Sequence, residues 1–199
     1  MRSAARAIAP DFHRPASRLG RPFSTHNTTG SEKSGRGARH VTGKIDIRGT
    51  TFRDTNQRHV ILRGVNLGGD TKVPFAPDGR THNPTDFADH RTVSFVGRPA
   101  PLNEIDDHLA RLKHWGFNCL RLLTTWEAVE HAGPGKYDEA YLDYFTEVCR
   151  RAGQHGLHAF VDFHQDAWSR MSGGDGAPGW TFEAAGLDFS KFAETGAAH

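Results

Sequence analysis

Apolar and polar positions along the 199-residue chain follow a strand, helix, strand, helix, strand order. In KIDIRGTTFRD, Ile45, Ile47 and Phe52 alternate with polar residues around Gly49, which predicts a short hairpin. In HVILRGVNLGG, Val60, Ile61, Leu62, Val65 and Leu67 form a nearly continuous apolar run that stops at Gly68 and Gly69. That is the pattern of a parallel strand covered on both faces. Leu102, Ile105, Leu109 and Leu112 then repeat at helical spacing. Asn103 is the candidate cap, Glu104, Asp106 and Asp107 suit the positive end of the helix dipole, and Gly116 can end it. FNCLRLL, Phe117 to Leu123, reads as the second strand and TTWEAVEHAGPGKY as its loop. Tyr141, Phe145, Val148 and Ala152 mark one face of a second helix, from near Asp138 to Gly156, and LHAFVDFH is the third strand.

This alternation predicts an α/β fold with parallel strands. Polar side chains gather just after each strand: Asn66, then Arg121 with Trp126 and Glu127, then His164 with Asp166. A (β/α) barrel builds its site from such strand ends, and so does a doubly wound sheet, so the pattern leaves both open. No GxGxxG or phosphate-loop pattern follows the first strand, which weighs against a nucleotide-binding sheet. Gly68 to Pro101 shows no period and holds Pro74, Pro77, Pro84, Pro99 and Pro101. Loops of that length tend to be functional lids or binding loops, and Phe75, Phe87 and Phe95 are more than a solvated linker needs.

The charge is unevenly placed. Residues 1–41 carry eight Lys or Arg and two Asp or Glu, a balance of +6; with a net +2 overall, the remainder is −4. The basic character belongs to the tail, so nucleic-acid binding by the folded part has little support. Rich in Arg, Ser and Thr and poor in acids, residues 1–41 read as a disordered basic extension, with a mitochondrial-transit-like composition as the alternative. They lack the continuous apolar core of a secretory signal, and no stretch approaches the ~20 apolar residues of a membrane span. The expected location is intracellular, cytoplasmic or vacuolar. Cys119 and Cys149 fit no metal or disulfide spacing and read as buried thiols.

The stretch LHAFVDFHQDAWSR carries the densest chemistry. An apolar strand ends in His164, Gln165 and Asp166, with Trp168 close behind, where a plain turn would prefer Gly, Pro or Asn. Asp162 lies two residues before His164 and so on the same strand face. Arg121 sits inside an apolar strand, and a buried Arg needs a partner. Indoles at Trp126 and Trp168 suit a half-wet cleft. Glu127 and Glu130 look like a carboxylate pair but read as loop or cap residues. No HExxH and no Cys/His spacing points to a metal.

ILRGVNLGG, GFNCLRLLTTWEAVEHAGPGKYDEAYLDYF and GLHAFVDFHQDAWSR resemble the first three strand units of glycoside hydrolase family 5. Within it they are similar to the endoglycoceramidase branch and its fungal relatives acting on glucosylceramide and steryl glucosides; GGDGAPGWTFEAAGLDF adds to the fungal likeness. The resemblance runs from about Lys44 to His199. It implies retaining β-glycosidase chemistry on a (β/α)₈ TIM barrel, whose two carboxyls stand only ~5 Å apart. Residues 42–199 are then the N-terminal portion of that barrel, about three β/α units, preceded by the extension 1–41.

In the family the acid/base follows the fourth strand and the nucleophile the seventh, and neither has a counterpart in this sequence. Residues 1–199 alone are therefore expected to be inactive. The resemblance further implies that Arg121 supports the nucleophile and that His164 lines the sugar subsite; Asp166, Gln165, Asn66, Trp126, Trp168 and Asp162, by their chemistry and their place at the strand ends, are expected to line or support the same site. No cofactor or metal is expected. The implied partner is a lipid-linked β-glucoside, with peripheral contact at a membrane surface. The alternative is a non-catalytic carbohydrate- or glycolipid-binding protein that keeps one wall of the sugar site.

Overall fold

A computed structural model describes residues 43–75 and 88–198. The extension 1–41, and Pro77, Pro84 and Phe87 of the long loop, lie outside the described residues. Two three-stranded sheets form among the described residues. The first is antiparallel and joins β1 (Asp46–Arg48), β2 (Thr51–Arg53) and β3 (His59–Val60). The expected hairpin is present and gains a third strand. The second sheet is parallel and joins β4 (Gly64–Leu67), β5 (Cys119–Thr125) and β6 (His158–His164), with β5 central.

The apolar run from Val60 to Leu67, expected as one strand, is thus divided between the two sheets. Its divider is Asn118. The Asn118 amide accepts from the backbone of Arg63 (2.7 Å) and donates to the carbonyl of Ile61 (2.9 Å), so the side chain takes the backbone bonds that a strand neighbour would. Beside it, Gly64 passes so close to β5 that a Cβ would lie 2.2 Å from the Cys119 carbonyl oxygen.

Helices α1 (Ile105–His114) and α3 (Glu139–Gln154) cover one face of the parallel sheet. Ile105, Leu109 and Leu112 of α1 and Tyr141, Tyr144, Val148 and Ala152 of α3 meet Leu120 and Leu122 of β5 in a single core. Capping splits between expectation and outcome. Asp138, near which the second helix was expected to start, caps α3, accepting from the Tyr141 amide at 2.9 Å. Asn103 does not cap α1; Glu104 holds the cap position and makes no capping bond.

Two stretches expected as loop are ordered into the fold. β5 runs on to Thr125, whose hydroxyl accepts from the Ala128 amide and starts a short helix, α2 (Trp126–Glu130). The described part of the long loop is packed rather than lid-like. Phe95 is fully buried edge-on to Tyr141, and Tyr144 donates its hydroxyl to the Ala100 carbonyl at 2.6 Å. After β6 the chain forms α4 (Trp180–Ala184) and α5 (Phe192–Thr195).

The parallel β/α order matches expectation, and no closed barrel forms among the described residues. On β6, Phe160, Val161 and Phe163 are exposed, one on one face and two on the other. No helix among the described residues is long and apolar enough to cross a membrane. Cys119 and Cys149 are free thiols, partly rather than fully buried.

Candidate functional site

Strand alternation sends Leu120 and Leu122 of β5 to the helices and Arg121 to the opposite face, where Asp162 and His164 of β6 also point. There the three side chains close on one another. Arg121 Nη2 donates to Asp162 Oδ2 at 2.7 Å and lies 3.4 Å from His164 Nδ1. Nδ1 is in turn 3.1 Å from Asp162 Oδ2. All three are part-buried, with side chains 31, 21 and 21% exposed, so the ion pair is neither sealed nor fully washed by water. A guanidinium held this way is a fixed positive charge beside a carboxylate and an imidazole, at the strand ends where parallel sheets build their sites. Asn66 pairs in register with Arg121 on β4, and its side chain is exposed.

The loop after β6 is held by hydrogen bonds of its own. Ala167 and Trp168 both adopt the left-handed backbone region, at φ of 43° and 74°. Such conformations persist only where the surroundings hold them. Here the Gln165 amide donates to the Trp168 carbonyl at 2.5 Å, and the Ala177 amide donates to the same oxygen at 2.7 Å. Gln165, expected to face a ligand, is thus engaged by its own loop. Asp166 exchanges backbone hydrogen bonds with Asp175 (2.8 and 2.7 Å), while its carboxylate stays exposed, as a ligand-accepting group would. The two indoles differ in attachment: Trp168 Nε1 donates to the Thr181 hydroxyl at 3.0 Å, and Trp126 Nε1 donates to Glu130 at 2.6 Å while meeting Trp180 edge-on. Both keep exposed ring surface.

Gly174 makes the closeness of this loop possible, since a Cβ there would lie 1.9 Å from the Asp166 carbonyl oxygen. Gly174→Ala is expected to cost about 1–3 kcal/mol, the range for overpacking a tight site. Urea unfolding followed by circular dichroism measures it, and an unchanged midpoint would show that the loop yields freely.

Sequence reasoning missed two ion pairs. Glu127, read as a loop or cap residue, is 1% exposed and receives Arg170 Nε on both carboxylate oxygens at 3.0 Å. Arg170 also donates to the Asp89 carbonyl, so one buried ion pair fastens α2, the β6 loop and the segment at Asp89 together. Burial pushes the Glu127 carboxyl up, to about 7, against the pull of Arg170. Lys72 and Asp175 form a second pair, Nζ to Oδ2 at 3.0 Å, next to His164. The signals were present, in the Arg of AWSR and the Asp of GGDGAPGW, but spacing alone could not pair residues 43 or 103 positions apart. Among the described residues, no group of three or more His, Cys, Asp or Glu is placed to hold a metal ion.

A family model for cellulase, glycosyl hydrolase family 5, matches residues 77–191. A glucosylceramidase of Rhizopus delemar is 48% identical over 167 residues, 82% of this chain and 24% of that one. An ergosteryl-beta-glucosidase of Saccharomyces cerevisiae is 46% identical over 153 residues, 74% of this chain and 20% of its own. The crystal structure of Cryptococcus neoformans sterylglucosidase 1 superposes with a TM-score of 0.68 at 45% identity, covering 75% of this chain and 21% of that one. The chain therefore spans about a fifth to a quarter of the length of the curated relatives it matches.

Proposed function

The chain belongs to glycosyl hydrolase family 5, and from that premise we propose that residues 42–199 supply the first three β/α units of a (β/α)₈ barrel hydrolysing lipid-linked β-glucosides. The observation that carries this reading is the Arg121, Asp162 and His164 cluster at the ends of parallel strands, beside exposed indole faces. The exposed Phe160, Val161 and Phe163 support it as well, since a strand flanked by more barrel would have both faces covered. The substrate class follows the relatives, glucosylceramide or a steryl glucoside, and the enzyme would meet it at a lipid surface.

In this reading His164 and the exposed Asp166 carboxylate exchange hydrogen bonds with sugar hydroxyls, and Asn66 lies on the cleft floor. Trp126 and Trp168 form its rim against the sugar's C–H faces. Arg121, fixed by Asp162, holds a carboxylate nucleophile ionised through charge and hydrogen bonding. The acid/base and nucleophile are glutamates contributed from outside residues 1–199.

The test has two arms. Purified residues 1–199 are expected to give no turnover of a fluorogenic β-glucoside. A chimera in which residues 42–199 replace the matching segment of the Cryptococcus neoformans sterylglucosidase is expected to turn over steryl glucoside or glucosylceramide. A folded chimera that binds glycolipid without hydrolysing it would favour a non-catalytic wall, and turnover by residues 1–199 alone would refute the assignment of the glutamates.

A further inference from the structure

We propose that Asp175 is a positioning residue that fixes the proton of His164 on Nε2, an inference that rests on the glycosidase reading of the cleft. Asp175 is 3% exposed, yet it is a carboxylate. A buried carboxylate is strongly unfavourable unless donors satisfy it. Its Oδ2 has one, Lys72 Nζ at 3.0 Å. Its Oδ1 is fully buried and has no hydrogen-bond partner among the described residues. The group facing that oxygen is His164 Nε2, at 3.8 Å.

That separation is too long for a hydrogen bond and short enough for charge to act. An anionic oxygen opposite Nε2 favours a proton there and disfavours a lone pair. The other ring nitrogen does not settle the matter by itself. Nδ1 faces both an acceptor, Asp162 Oδ2 at 3.1 Å, and a donor, Arg121 Nη2 at 3.4 Å. Asp162 and Arg121 are themselves an ion pair, at 2.7 Å, and act on Nδ1 in opposite senses, the anion favouring a proton there and the cation a lone pair, so that Asp175 tips the choice.

Asp175 is built to keep its place. Its backbone exchanges two hydrogen bonds with Asp166, and the Gln165 amide reaches its carbonyl at 3.4 Å. Gly174 on one side and Gly176 on the other allow the close approach; a Cβ at Gly176 would lie 2.6 Å from the Gln165 amide carbon. Lys72, from the 3₁₀ turn Gly69–Lys72 that follows β4, neutralises the buried charge. Through this one carboxylate the loops after β4 and β6 are tied together, and the imidazole between Asp162 and Asp175 is set to donate from Nε2.

The measurement is the ¹⁵N pattern of the imidazole in ¹⁵N-histidine-labelled residues 1–199, with the His164 signals assigned by their absence in His164→Gln. Wild type is expected to show a protonated Nε2. In Asp175→Asn and Asp175→Leu that pattern is expected to shift toward an Nδ1-protonated ring, with the amide spectrum of β5 and β6 retained. An unchanged ring pattern in both Asp175 variants overturns the proposal, as does a bare Nε2 in wild type. The readout reports the ring alone. It can therefore fail while the chimera hydrolyses glycolipid, or succeed while the chimera is inert.

Discussion

Glu127→Leu is expected to lower the unfolding free energy by about 3–5 kcal/mol at pH 8, the usual consequence of removing one partner from a buried ion pair. The guanidinium of Arg170 is 5% exposed and cannot escape by losing a proton. In a chain of this size the thermal midpoint should fall by roughly 10 °C. Arg170→Leu should be milder, because an orphaned Glu127 can take up a proton. Glu127→Leu with Arg170→Met, which fills the space with apolar groups, should recover most of the loss. Chemical and thermal unfolding of the three variants measures this, and a double variant no more stable than Glu127→Leu would show that the pair is not the source of the effect.

The same carboxyl gives a pH signature with a definite sign. Its folded value, about 7, lies above its ordinary 4.5, because burial disfavours the charged form. Protonation therefore favours the fold: the contribution is complete below pH 4.5 and lost as pH rises through 7. Relative to Glu127→Gln, wild type should lose stability across that window, and a flat difference would contradict it.

Arg121→Ala in the chimera is expected to reduce kcat/KM on a lipid glucoside at least ten- to a hundredfold. Charge-assisted hydrogen bonds contribute ~1.5–3 kcal/mol each, and this side chain would hold both Asp162 and the nucleophile. Asp166→Ala should fall in the same range, through loss of an acceptor for a sugar hydroxyl. Its carboxylate is exposed, so its melting temperature should hardly move. Wild-type kcat/KM with a lowered melting temperature in Asp166→Ala would mean that the strand end is structural.

The parallel order and the core were legible because each rests on local period: Leu109 and Leu112, or Tyr141 and Val148, announce a buried helix face without reference to anything distant. Arg121, Asp162 and His164 were legible for a related reason, since a strand places i and i+2 on one face and an Arg inside an apolar strand demands a counter-charge. What was not legible depends on side chains meeting across long separations. Asn118 divides an apolar run 55–57 residues upstream, and nothing in that run announces the break. Glu127 resembled a cap residue because its partner lies 43 positions away. Asp175 was hidden for the same reason, 103 positions from Lys72.

The parallel pairing of β4 with β5 also sets a timetable for synthesis. Gly64 pairs with Cys119, 55 residues later in the chain, whereas Cys119 pairs with His158 after only 39. At ribosomal speeds of about 5–20 residues per second, β4 emerges roughly 3–11 seconds before its neighbour exists. The antiparallel sheet just ahead of it, closed within fifteen residues from Asp46 to Val60, has no such delay. During that interval the nascent chain carries an apolar strand with an unpaired edge, the kind of surface that chaperones bind and that neighbouring chains can capture.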